Sequence, residues 1–468
     1  MELTNAAAVA RIVSGTIIAG DGAVAVGPDV VIDSRLAAPD ALFVALPGDR
    51  VDGHDFVATA AAAGATAALV SRATGSGLTE IQVSDPLVAL AALARAQVDA
   101  ARVRGLRTVA ITGSSGKTST KDLLAQVLEA SGPTVAPRGS FNNEIGTPLT
   151  ALKVTAETRY LVAEMGARGP GHIRSLTGIV APDVGVVCNV GSAHLGEFGS
   201  VEGIAAAKGE LVEAVPADGW AVLNADDPRV LAMASRTSAQ VLLVSAAGKP
   251  EADHAVWAED VRADGQERYG FALCATDAEP VPVQLQVTGR HMVANALCAA
   301  GAAVALGVPL DVVAAALSGA TSRSAWRMEV RERGDGVTIV NDAYNANPDS
   351  VRAALETVSR MAAARPEARL FAVLGDMLEL GPDAAEEHTA IGRYAGEVGA
   401  HLVLAIGEHA AALVAGAVAG GADARALDAK EHAVAQLTDL RAGDVVLVKA
   451  SRGVGLETVA GELLGAPC

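Results

Sequence analysis

The amino-acid sequence predicts an α/β fold in three domains, and three observations carry that prediction. Apolar strand-like runs alternate with Ala-rich helix-like runs along all 468 residues, the pattern of strands joined by helices. A boundary falls near residue 105 and the alternation restarts after about 320, which divides the chain into 1–104, 105–320 and 321–468. A chain of this length is expected to hold several cores, and 51% hydrophobic with 19% charged residues is a globular composition.

In the first block, DVVIDSR, LFVALPG and TAALVSR read as strands and DGHDFVATAAAAGA as a helix. The helical run DPLVALAALARAQVDAARVRG then leads to the second block, with strands RTVAIT, YLVAEMG, VGVVCNV and WAVLNADD. A more β-rich patch follows at 255–288, then helices to about 320. The longest apolar stretch, ALCAAGAAVALGVPLDVVAAAL, is cut by Pro309 and Asp311 and reads as a packed helical hairpin, not a membrane span. The third block carries VTIVNDA, RLFAVLGDM, HLVLAIG and DVVLVKAS. It reads as a small doubly wound, Rossmann-like domain whose strand ends carry polar residues, where open α/β sheets bind ligands.

Charge and cysteine usage exclude several classes. A net charge of −18 leaves no excess of Lys and Arg to displace counterions, which argues against nucleic acid or an anionic membrane as partner. Cys188, Cys274, Cys298 and Cys468 have no paired short spacing, which fits a reducing compartment and neither a zinc knuckle nor a disulfide framework. The start, MELTNAAAVARIVSG, lacks a basic region followed by an apolar core, so no signal peptide is expected. Lysine is scarce, 7 against 29 arginines. Retained lysines therefore point to positions that need a primary amine, and Lys117, Lys208 and Lys449 stand out against the alternative of ordinary surface charge.

TGSSGKTST (112–120) lies between the strand RTVAIT and the helical KDLLAQVLEA. The strict Walker pattern fails, because Ile111 stands where its first Gly belongs. The physics of a phosphate loop is nevertheless present. Gly113 and Gly116 let the backbone curl around oxygens, with Ser114, Ser115 and Ser119 around them, and the N–H groups of a helix start attract anions. Lys117 can neutralise outer phosphates and Thr118 can bind Mg²⁺. Such a site also needs an acid at a neighbouring strand end, and YLVAEMG supplies Glu164. His194, after VGVVCNV, is a reasonable ligand for a second divalent ion, although a lone His is more often structural. Lys208, in IAAAKGELVEAV, reads from chemistry alone as a solvated charge. Neither an Asn-Lys dipeptide nor Asp-x-x-Gly occurs, which disfavours a GTP switch protein.

Taken in order, TGSSGKTST, AEMGA, NVGSAHLGEFGS, AAAKGEL, GRHMVANALCAAGAA, WRMEV, VNDAYNANPDS, VLGDMLELG and KASRG resemble the Mur ligases, the ATP-dependent amino-acid-adding enzymes of peptidoglycan synthesis. The resemblance covers essentially the whole chain. NDAYNANPDS and LGDMLELG look like the member that adds D-alanyl-D-alanine to UDP-N-acetylmuramoyl-tripeptide. The Asp-Asn-Pro-Arg of the diaminopimelate- or lysine-adding member is not found. Two departures, Ala450 for the usual Gly and Leu456 for the usual Met, are small and apolar.

The resemblance implies a first domain for the UDP-sugar-peptide, a central P-loop ATPase-like domain with a mostly parallel sheet, and a third domain completing the ATP and D-alanyl-D-alanine sites. It implies ATP as co-substrate and two Mg²⁺ sites, with Thr118 and Glu164 at one and His194 and a carbamylated Lys208 at the other. Asn295, four residues after His291 on one helical face, is implied at adenine, Arg327 at the γ-phosphate and Asp342 at ribose. Ser34, Arg35, Asn142, Asn143 and Thr147 are implied at the UDP-tripeptide, with Arg35 also readable as a surface pair. Lys449, Ser451 and Arg452 are implied near the peptide or acyl phosphate. A cytoplasmic monomer whose third domain closes on ATP follows. Two other classes remain for test: a different ligase of the superfamily, such as folylpolyglutamate synthase, and a P-loop protein that hydrolyses or senses nucleotide.

Overall fold

The structure is a computed structural model and describes residues 1–48, 51–191 and 195–465. The first unit holds strands β1 (Thr16–Ala19), β2 (Val30–Val31), β3 (Leu42–Val44), β4 (Ala67–Val70) and β5 (Thr79–Gln82), in the order β1-β5-β4-β3-β2. Helix α1 (Pro86–Val103) follows. Its start is set by Asp85, whose carboxylate accepts the N–H groups of Leu87 and Val88, and by Pro86, which needs no donor at the first helical position.

The central unit is a nine-stranded sheet. Its strands are β6 (Arg107–Thr112), β7 (Thr134–Val135), β8 (Tyr160–Glu164), β9 (Val184–Val187), β10 (Trp220–Asn224), β11 (Gln240–Ser245), β12 (Ala255–Ala263), β13 (Arg268–Ala275) and β14 (Val281–Thr288). They lie in the order β14-β13-β12-β11-β10-β9-β6-β8-β7. Pairing is parallel from β7 to β12 and antiparallel across β12-β13-β14. Helices α2 (Lys117–Glu129), α3 (Val201–Glu213), α4 (His291–Ala305) and α5 (Leu310–Gly319) cover it. The expected hairpin is α4 and α5, and among the described residues no helix is long and apolar enough to cross a membrane. The chain leaves β6 toward β7 and β8 on one side and returns to β9 on the other. The carboxyl end of β6 is thus a topological switch point, where such sheets bind ligands.

The third unit is a six-stranded sheet of β15 (Glu329–Glu332), β16 (Thr338–Asn341), β17 (Leu370–Gly375), β18 (Ala400–Ile406), β19 (Asp423–Leu427) and β20 (Val445–Lys449), in the order β15-β16-β20-β17-β18-β19. All neighbours are parallel except β15 with β16. Helix α6 (Pro348–Ala363) is opened by a capping box between Asn347 and Ser350, with Pro348 at its first turn. One apolar cluster runs from Val9 and Leu42 through Leu90 and Leu93 of α1 to Leu161, Leu176 and Leu211, welding the first unit to the central one. The third unit buries its own clusters on both sheet faces, built from residues 328–464.

Candidate nucleotide and ligation site

Between β6 and α2 the chain has four residues, Gly113–Gly116, to turn a strand into a helix. Gly116 takes φ = +77°, and a Cβ there would meet Asn295 Oδ1 at 2.3 Å. Glycine is therefore what lets the loop curl against α4. Asn189, just past β9, braces the loop from below. Its carbonyl accepts Ser114 N–H at 3.1 Å, its Oδ1 accepts Ser115 N–H at 2.9 Å, and its Nδ2 donates to Ser115 Oγ at 3.0 Å. Lys117 Nζ donates back to Gly113 O at 2.6 Å. Burial pushes the Lys117 ammonium below its usual range, with Glu164 opposing the shift.

Glu164 ends β8, beside β6, and is buried. Asn142 Nδ2 donates to its Oε1 at 2.8 Å, while its Oε2 has no hydrogen-bond partner among the described residues. Thr118 Oγ1 lies 2.8 Å from Ser140 Oγ, and Arg327 Nη2 donates to both at 3.1 Å. The Arg327 guanidinium lies over the Tyr344 ring, 4.2 Å from its centroid, and its Nε is buried without a partner among the described residues. Lys208 sits buried on α3, opened by a Ser200 cap. Burial, aided by the positive charge of Lys117, pushes its amine well below the ordinary range. His194 lies outside the described residues.

The facing wall comes from the third unit. Asp342 follows β16 and Lys449 ends β20, its parallel neighbour. Lys449 Nζ reaches Asp342 Oδ2 at 2.5 Å and Asn345 O at 2.9 Å, and Met328 N–H donates to Asp342 Oδ1 at 3.1 Å. Burial pushes the Lys449 ammonium below its usual range, with the Asp342 carboxylate opposing the shift. Ser451 Oγ accepts Leu378 N–H at 2.9 Å and donates to Ala346 O at 3.3 Å. Arg452 stacks over Trp326 at 4.1 Å and pairs with Glu457. These two walls enclose a cleft of about 1580 Å³.

The model of the Mur ligase family catalytic domain matches residues 29–105, that of the Mur ligase middle domain 111–303, and that of the Mur ligase glutamate ligase domain 326–452. The chain is also 47% identical to UDP-N-acetylmuramoyl-tripeptide--D-alanyl-D-alanine ligase of Mycobacterium tuberculosis (strain H37Rv), across 93% of this chain and 92% of that protein. The chain belongs to the Mur ligase family. The enzyme of the same name from Escherichia coli K12 is 36% identical to this Mur ligase over 92% of each chain. Among solved structures it is similar to MurF from Acinetobacter baumannii, with TM-score 0.88 and 30% identity over 99% of both chains. It is also similar to MurF ligase from Thermotoga maritima in complex with ADP, with TM-score 0.78 and 30% identity over 93% and 96% of the two chains.

Of the residues singled out in the sequence of this Mur ligase, Ser114, Ser115, Gly116, Lys117, Thr118, Ser119, Asn142, Asn143, Glu164, Asn295, Arg327, Asp342, Lys449, Ser451 and Arg452 line the cleft. Gly113 lies directly behind it, against Cys188. Ser34 and Arg35 are not among the described lining residues. Ser34 is buried, and Arg35, with its side chain 85% exposed, pairs with Asp33 at 2.6 Å. Asn143 Oδ1 accepts the N–H groups of Ile145 and Gly146, where the chain enters the short helix Gly146–Ala151. Thr147 is buried in that helix with its Oγ1 unpartnered. Sequence reasoning missed Asn189, Ser140 and Tyr344. The polar residue directly after the apolar run VGVVC was a readable signal for Asn189, whereas nothing local marks Ser140.

Proposed function

We propose that this Mur ligase uses ATP to join D-alanyl-D-alanine to UDP-N-acetylmuramoyl-tripeptide, giving UDP-N-acetylmuramoyl-pentapeptide, ADP and phosphate in peptidoglycan synthesis. The observation that carries the chemistry is the meeting, in one cleft, of a phosphate loop, the half-satisfied carboxylate of Glu164 and the Arg327 guanidinium. The choice of amine rests on the relatives, similar over nearly the whole chain, that carry this activity in their names.

Loop N–H groups, Lys117 and Arg327 hold the ATP phosphates while a peptide carboxylate oxygen attacks the γ-phosphorus. The bond to the bridging oxygen breaks, ADP leaves and an acyl phosphate remains. The amine of D-alanyl-D-alanine then attacks the acyl carbon, and the tetrahedral intermediate collapses to the amide as phosphate departs with the excess proton passed to solvent. The free oxygen of Glu164, in the same cleft lining as the Thr118 hydroxyl, suits a hard cation. These two residues would hold one Mg²⁺, and His194 with a carbamylated Lys208 a second. Bound there, Mg²⁺ offsets the charge of phosphate and carboxylate. Asn295 serves adenine and Asp342 the ribose. Residues 1–104, with Ser34 and Arg35, take the UDP-sugar-peptide, and Asn142, Asn143 and Thr147 take it from the central unit, 105–320. Residues 321–468 complete the nucleotide site and present Lys449, Ser451 and Arg452 toward the peptide. The enzyme works as a cytoplasmic monomer.

The test is ADP release by purified protein with UDP-muramoyl-tripeptide and a panel of amines. Turnover requires both substrates and favours D-alanyl-D-alanine. Turnover without an acceptor, or preference for a single amino acid, overturns the reading. Lys208→Ala loses activity and regains part of it with formate or acetate; rescue by an added amine instead contradicts the carbamate.

A further inference from the structure

Lys121 is one of the seven lysines, and neither the phosphate loop nor the facing wall uses it. It is 2% exposed on α2, one turn beyond Lys117. Its ammonium is held by the adjacent Asp122 carboxylate, by Pro137 O at 3.0 Å and by Ser324 Oγ at 3.5 Å. A buried cation on the helix that follows the nucleotide loop calls for a reason, because desolvating it is costly unless it is fully paired.

The reason lies in what Asp122 does with its other oxygen, which accepts the N–H of Ser324 at 2.9 Å. Ser324 belongs to the segment that leads from the central unit to Arg327. That segment runs antiparallel along one stripe of α2. Gln126 Nε2 donates to Thr321 O at 2.8 Å, and Gln126 Oε1 accepts Thr321 N–H at 3.1 Å. Arg323 forms a two-pronged pair with Glu129 at 2.5 and 2.6 Å. Arg327 itself reaches Thr118. Thr118, Asp122, Gln126 and Glu129 are spaced by four, four and three, so they share one helical face. Just past the anchored stretch, Trp326 and Met328 adopt φ of +58° and +46°, on either side of Arg327. Residues with side chains of this size rarely take that conformation, because it crowds Cβ against the following carbonyl oxygen. The neighbours over-determine it: Trp326 O accepts Tyr344 N–H at 3.2 Å and Met328 N–H is bound to Asp342.

We propose that Asp122 is a positioning residue for the ligase reaction, fastening segment 321–324 to the nucleotide-binding helix so that the strained turn delivers Arg327 to the phosphate site. Lys121 supplies the buried counter-charge that holds the Asp122 carboxylate in place and aimed at Ser324. The proposal rests on the reading of Arg327 given above.

A double-mutant cycle on ADP release tests it. Asp122→Asn lowers kcat by about 10- to 100-fold, the size of effect a displaced catalytic group produces from a distance, and leaves KM for UDP-muramoyl-tripeptide unchanged. In an Arg327→Ala background the same change lowers kcat less than about twofold, because Asp122 acts through a side chain that is gone. Gln126→Ala, which leaves the buried pair intact, repeats the pattern at smaller amplitude and replaces Asp122→Asn if that variant does not fold. An equal factor in both backgrounds, with Arg327→Ala itself crippled, overturns the anchor alone. Full turnover by Arg327→Ala overturns the role of Arg327 and the anchor with it.

Discussion

Lys117 and Lys449 are both buried lysines at the cleft, yet they are held in opposite ways. Lys117 has a backbone carbonyl for a partner, and nearby Glu164 keeps one oxygen and Arg327 one nitrogen unpaired. Lys449 is locked to Asp342 and Asn345, and Ser451 beside it both donates and accepts. The first wall carries charge in excess of its internal partners, which is what a surface built to receive phosphate and metal needs. The second is a closed network in which the pairs that fix the shape of the third unit also hold Lys449, Asp342 and Ser451 in position at the cleft. Polar residues at strand ends therefore differ in kind: some stand open to a ligand and others line the cleft already fixed by their own partners.

The largest effect expected from this contrast is on stability. Lys449→Met leaves Asp342 buried without its counter-charge and costs about 3–5 kcal/mol in urea unfolding, most of it recovered when Asp342→Asn is added. Unchanged stability would show that the Lys449–Asp342 pair does not hold this wall in shape. On the first wall the order reverses. Glu164→Gln lowers kcat by about 10²–10³-fold and Asn142→Ala by about tenfold, with unfolding midpoints unaltered.

A smaller effect belongs to His388, buried in helix α7 (Ala384–Glu397) behind the loop that carries Leu378 to the cleft. Its Nδ1 bonds to Ala384 O at 2.6 Å and its Nε2 accepts Met377 N–H at 2.9 Å, which fixes the neutral ring. Burial lowers its pKa, Ala384 and the facing Asp376 oppose the shift, and His409 adds to it. The unfolded chain thus binds a proton more readily than the folded one. Stability is full above the unfolded value of about 6.5 and falls as pH drops through it. His388→Gln flattens that slope in unfolding measured on both sides of the window; an unchanged slope assigns the dependence to other groups. Smallest of all, Arg35→Ala leaves the unfolding midpoint within experimental scatter, as the loss of an exposed pair does. It raises KM for UDP-muramoyl-tripeptide and not for ATP; no change in either returns Arg35 to an ordinary surface pair with Asp33.

The buried parallel strands were legible because each is an unbroken apolar run between turns, as in VTIVNDA and DVVLVKAS. The two edge strands of the third unit were not. β15 (EVRE) and β19 (DARAL) carry charge where they face solvent, so they look like loops. The sequence reading also ended the parallel series at β10. The structure adds β11, and β12 stands between two partners, parallel to β11 over Ala255–Trp257 on one side and antiparallel to β13 from Val256 to Ala263 on the other. At the site, the phosphate loop and the acid at the neighbouring strand end were readable from spacing. That Asn142 donates to Glu164, or that Asp342 is committed to Lys449, depends on contacts across 22 and 107 residues, which one-letter spacing does not encode.

The central claim is that the phosphate held at Lys117 goes to a carboxylate and not to water. The direct measurement labels the terminal carboxylate of the UDP-muramoyl-tripeptide with oxygen-18 and follows the label during turnover with ATP and D-alanyl-D-alanine. Passage through an acyl phosphate places one labelled oxygen in the released phosphate for each amide formed. Unlabelled phosphate from the same reaction, with label appearing only when the solvent water carries it, would contradict the account.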